Sequence, residues 1–72
     1  MRVALQLSGD EALVLFEWLA QREQKRRDAP LTAEDIALGR VLGQLEKTLA
    51  QPFDANYAHL VEAARKRIVD GS

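Results

Sequence analysis

Ala12-Leu13-Val14-Leu15-Phe16-Glu17-Trp18-Leu19-Ala20 is the stretch on which the fold turns. It holds the only Trp of the 72-residue chain and one of its two Phe, and Glu17 is its only polar residue. On a helical wheel with Ala12 at zero, Phe16, Ala20 and Leu13 fall at about 40°, 80° and 100°. Leu19, Leu15, Trp18 and Val14 fall at about 340°, 300°, 240° and 200°. Only the sector of Glu17 and Gln21 is polar. The apolar arc spans about 260°, where a surface helix usually shows somewhat over 100°. A single neighbour cannot cover it. Helices from the same chain are expected on the side of Phe16 and Leu19, and a second subunit on the side of Val14 and Trp18. A buried Trp18 implies a cost of about 3–5 kcal/mol for Trp18→Ala.

Upstream, Arg2 to Leu7 alternates. Val3, Leu5 and Leu7 point one way, and Arg2, Ala4 and Gln6 the other. That period predicts a half-buried strand. Ser8-Gly9-Asp10 breaks it, with Ser8 or Asp10 as the cap of a helix over about 10–27. The second half of this helix, Gln21 to Arg27, is entirely polar and is expected to project into solvent. Downstream, Pro30 stops it by disfavouring helical backbone at Ala29. Thr32 is placed to cap a second helix, with Asp35 where a capping box carries Glu or Gln. Its apolar stripe is Leu38, Val41, Leu42, Leu45 and Leu49, and Pro52 closes it at about Ala50. Phe53 sits at the next corner. Asp54 is placed to cap a third helix over about 55–69, striped by Tyr57, Leu60, Val61, Ala64 and Ile68 and stopped by Gly71.

The chain therefore reads as one mainly α domain, 1–72, in the order β-α-α-α. A lone strand leaves its backbone donors and acceptors unpaired. Pairing with the same strand of a second chain across a two-fold axis resolves this. The expected interface is Val3, Leu5, Leu7, Val14 and Trp18. A chain this short builds a marginal core, and with no Cys no disulfide supports it. Oligomerisation is the remaining support.

Composition narrows function more than it names it. Ten Lys and Arg against eleven Asp and Glu leave a net charge of −1, which gives no general attraction to nucleic acid or anionic membrane. The apolar runs are too short for a signal peptide or a membrane span, so a cytoplasmic protein is expected. No cofactor and no metal site is expected, because one His and no Cys cannot build one. No nucleophile with a base and an orienting group is readable, so the chain is expected not to be an enzyme. Two basic clusters, Arg22-Lys25-Arg26-Arg27 and Arg65-Lys66-Arg67, admit a phosphate-binding reading. Offsetting the negative ends of two helix dipoles explains them as well. Gly39 and Gly43 have the spacing of a close helix contact, with Trp18 or a partner subunit as the candidate neighbour. His59 falls off the apolar stripe, as a solvated residue would.

Two resemblances follow. The run from Leu7 to Leu19, then Leu45-Glu46-Lys47-Thr48-Leu49, then Pro52-Phe53-Asp54 and Tyr57, resembles a group of short bacterial hypothetical proteins. That likeness implies a bacterial origin and carries no site residues. The strand followed by two helices resembles a ribbon-helix-helix DNA-binding dimer, whose paired strands enter the major groove. It would place Arg2 and Gln6 on base edges, as suitable readers of guanine and adenine. Ala4, the long link between the helices, the third helix and the acidic balance all depart from that pattern. The preferred expectation is a homodimeric protein–protein interaction or regulatory module.

Overall fold

The computed structural model describes residues 1–26, 30–49 and 54–71. These form three helices: α1 (Gly9–Arg26), α2 (Ala33–Thr48) and α3 (Tyr57–Asp70). Residues 27–29 and 50–53 fall outside the described part, and with them the sequence expectations for Arg27, Pro52 and Phe53.

Each start has a local cause. At α1, the Ser8 hydroxyl accepts from the Glu11 amide at 3.1 Å, and the Glu11 carboxylate accepts from the Ser8 amide at 2.8 Å. This reciprocal capping box makes Ser8, rather than Asp10, the cap. At α2 the same device forms with an aspartate. Thr32 Oγ1 accepts from the Asp35 amide at 3.1 Å, and Asp35 accepts from the Thr32 amide at 3.0 Å. The third start differs from expectation. Asp54 does not cap α3; it accepts from the Asn56 amide at 2.7 Å in a turn just before the helix. That turn delays α3 to Tyr57.

The central element is α1, which packs against both α2 and α3, while α2 and α3 make few contacts with each other. Of the two, α3 runs antiparallel to it. Arg67, late in α3, donates two hydrogen bonds of 2.8 Å to Asp10 at the start of α1. Tyr57, at the start of α3, sets its ring edge-on to Phe16, with centroids 6.5 Å apart. On the other side, Arg22 donates to Asp35 at 2.7 Å, joining the end of α1 to the start of α2.

The wide apolar arc of α1 is thus divided. Leu13 packs with Val61 and Ala64 of α3, with Val14, Tyr57 and Leu60 around them. Val14 is therefore half-buried against α3, and the sector expected to await a second subunit is partly closed from within. Trp18, about 40° further round the wheel, stays 54 % exposed. Within one chain, the condition for a core-sized loss on Trp18→Ala is therefore not met. Two helices flank α1, and among the described residues no third helix fills the sector between them on that side.

Three further expectations are corrected. Residues 1–8 carry no regular secondary structure, and Val3, Leu5 and Leu7 are exposed. A strand needs a ladder partner, and no other strand occurs among the described residues. The polar half of α1 does not project freely: Arg22, Glu23 and Arg26 are partly covered beside α2. The glycines of α2 receive no helix and no tryptophan. A Cβ built on Gly39 would meet only Glu23 Oε1, at 3.5 Å, and one on Gly43 would meet nothing within 4 Å. Gly43→Ala is therefore expected to raise stability by up to about 1 kcal/mol, the helix-interior penalty of glycine. Urea unfolding checks this, and a loss of stability would reveal an unseen neighbour on that face.

Candidate functional site

The most developed surface feature is a groove between the second half of α1 and the start of α2. It has a volume of about 430 Å³ and is lined by Trp18, Gln21, Arg22, Lys25, Arg26 and Asp35. Helix geometry puts these residues together. Trp18, Arg22 and Lys25 follow at steps of four and three, and so share one face of α1. Asp35 enters from α2 because its capping role fixes it at the third position of that helix.

Asp35 is the one buried charged residue among those described. Both carboxylate oxygens are occupied. Oδ1 accepts from Arg22 at 2.7 Å, and Oδ2 accepts from the Thr32 amide and hydroxyl, each at 3.0 Å. The Arg22 hydrogen bond, followed by those from Thr32, holds its pKa down at about 2 against an ordinary 3.8. Asp35 is thus a fixed anion that anchors Arg22. Arg26 is paired with Glu23 at 2.9 Å. Lys25 is exposed and has no ion pair among the described residues.

A second, smaller recess of about 300 Å³ lies between α1 and α3, bordered by Glu17, Gln21, Tyr57, Val61, Glu62 and Arg65. The Tyr57 hydroxyl is buried there without a hydrogen-bond partner. Burial first, and then the neighbouring Glu17 carboxylate, push its pKa well above the usual tyrosine range. The phenol therefore stays protonated, beside the Glu17 carboxylate.

The residues singled out in the sequence separate into three places. Val3, Leu5 and Leu7 lie exposed on the N-terminal arm, as do Arg2 and Gln6. Val14 belongs to the packing against α3. Trp18 forms a wall of the groove. The two basic clusters do not converge. Arg67 pairs with Asp10, about 18 Å of helix rise before Arg22, and Arg65 pairs with Glu62. His59 is exposed. No group of three or more potential metal ligands occurs among the described residues. No helix among them is long and apolar enough to cross a membrane.

The sequence reading missed the groove as a unit. It placed Trp18 with the apolar arc and the cations with the helix dipole. The shared spacing of Trp18, Arg22 and Lys25 was the available signal. The pairing of Arg22 with Asp35, thirteen residues on, had none. Compared with protein-family models, curated proteins and solved structures, the chain matches none of them.

Proposed function

We propose that the chain is a non-enzymatic cytoplasmic module that homodimerises and acts through protein–protein contacts, as an adaptor or small regulatory subunit. Residues 2–7 would pair antiparallel with the same residues of a second copy, so that Val3, Leu5 and Leu7 turn inward together.

The observation that carries this reading is exposed area. The chain presents 5953 Å² to solvent. A folded monomer of 8.1 kDa is expected to present about 4,500 Å². Val3, Leu5 and Leu7 on the exposed arm contribute to this excess of about 1,450 Å², and pairing of the arms would remove part of it. The radius of gyration agrees, at 13.3 Å against about 11 Å for a compact chain of this length. Val3 and Leu5, 76 % and 78 % exposed, alternate as one apolar edge, and strand pairing satisfies their backbone as well.

Sedimentation equilibrium of the intact chain at micromolar concentration tests the proposal. It should return twice the monomer mass, and Leu5→Asp should return the monomer with helical circular dichroism retained. A wild-type monomer under these conditions would overturn the dimer. The ribbon-helix-helix alternative is the weaker reading. Arg22, Arg26, Arg65 and Arg67 are paired with carboxylates, which leaves Arg2 and Gln6 without a basic face behind them. Salt-sensitive duplex binding that is lost on Arg2→Ala and Gln6→Ala would reinstate it.

A further inference from the structure

We propose that the Trp18 groove docks an extended acidic peptide segment of a partner protein. An apolar side chain of that segment would rest on Trp18, and its carboxylates would meet Arg22, Lys25 and Arg26. The site is independent of the dimer, whose proposed contacts lie on the arm ahead of α1.

Charge complementarity selects this occupant. Arg22, Lys25 and Arg26 line the groove with Asp35, and Glu23 pairs with Arg26, so the groove keeps one positive charge in excess, that of Lys25, in a chain whose net charge is −1. The Asp35 carboxylate is already consumed, since both of its oxygens are taken by Arg22 and Thr32. It therefore orients Arg22 and offers little to a ligand. A guanidinium has five N–H donors, and Arg22 gives one of them to Asp35. Lys25 stands exposed, with no ion pair among the described residues. Trp18 supplies a half-exposed aromatic wall, and Trp and Arg are the residue types that most often carry binding energy at protein interfaces. The volume of about 430 Å³ falls within the usual range for binding pockets, about 300–1,000 Å³.

Spacing favours a peptide over a polyphosphate. Trp18 to Lys25 covers about 10 Å of helix rise, which is about three residues of extended chain. Carboxylates two or three residues to one side of a leucine or aromatic residue therefore match the cation–tryptophan spacing, since Arg22, Lys25 and Arg26 all follow Trp18 along α1. A nucleic acid would bring a continuous line of phosphates.

The test uses the intact chain and three probes: an acetylated, amidated nonapeptide repeating glutamate-glutamate-leucine, its lysine-lysine-leucine counterpart, and a nine-nucleotide oligothymidine. Trp18 is the only tryptophan, so its emission reports on the groove. The acidic peptide should quench or shift that emission saturably, and added salt should weaken the effect. Lys25→Glu should reduce affinity by about tenfold or more. Labelled-peptide anisotropy should show a similar loss for Trp18→Ala, a half-exposed position whose replacement leaves the helices in place. The monomeric Leu5→Asp chain should bind the acidic peptide as the wild type does. Each of the following overturns the proposal: no saturable binding at low salt, equal binding of the lysine peptide, unchanged affinity in Lys25→Glu, or loss of binding in Leu5→Asp. Tighter binding of oligothymidine overturns it too and assigns the groove to nucleic acid.

Discussion

Leu19→Ala is expected to cost about 3 kcal/mol, and Trp18→Ala about 1 kcal/mol or less, although tryptophan is the larger residue. Leu19 is 2 % exposed, and truncating a buried leucine typically costs about 2–5 kcal/mol through lost transfer energy and the cavity left behind. Trp18 keeps 54 % of its surface in water, so its removal forfeits little burial and opens no cavity. The range of about 3–5 kcal/mol for core aromatics applies only where the ring is enclosed. A chain of 72 residues has a total stability of about 4–11 kcal/mol. Leu19→Ala therefore removes a large part of it, and Trp18→Ala does not. Urea unfolding followed by far-ultraviolet circular dichroism compares the two without relying on tryptophan emission. Equal losses would mean that Trp18 is enclosed, by a second copy or otherwise.

Acid is expected to weaken the hold of both outer helices on α1. The Asp35–Arg22 bridge ties α1 to α2, and the Asp10–Arg67 bridge ties α1 to α3. Both carboxyl groups have lowered pKa values in the folded chain. For Asp35 the Arg22 hydrogen bond leads and the value is about 2, and for Asp10 the Arg67 hydrogen bond leads. A group whose pKa is lower in the folded state binds its proton more readily when unfolded. Its stabilisation is complete above the unfolded value, near 3.8, and is lost as the pH falls toward the folded one. The melting temperature should hold steady from pH 7 to about 5 and fall between about 4 and 2. Asp35→Asn keeps the shape of the side chain and removes the charge. It should lower the melting temperature at neutral pH and flatten the acid decline. A decline of unchanged steepness in Asp35→Asn would show that this bridge does not link stability to pH.

Much of the helical framework was legible from local chemistry. Ser8 with Glu11, and Thr32 with Asp35, announce two helix starts because the cap and its return partner lie three residues apart. Apolar stripes marked the faces that Leu13 and Val61 turn to each other. Asp54 misled, because an aspartate two residues before an amide can close a turn as readily as cap a helix. The strand is absent among the described residues of the single chain for a different reason. Alternation at Val3, Leu5 and Leu7 states which side chains share a face, but pairing depends on an edge that the rest of this chain does not supply.

The candidate site was less legible than the helices. Trp18 and the basic residues after it were each visible, but their joint meaning depends on α2 lying beside that half of α1.

By itself, then, the sequence determined where helices begin, which faces are apolar, and that one neighbour could not cover residues 12–20. Those properties depend on hydrogen bonds and spacings within a few turns of one helix. Only the tertiary structure decided that α3 takes the Leu13 and Val14 side, that Arg22 meets Asp35, and that Trp18 is left open between two helices. Those outcomes follow from how the two neighbouring helices divide the circumference of α1, and no local pattern encodes that division.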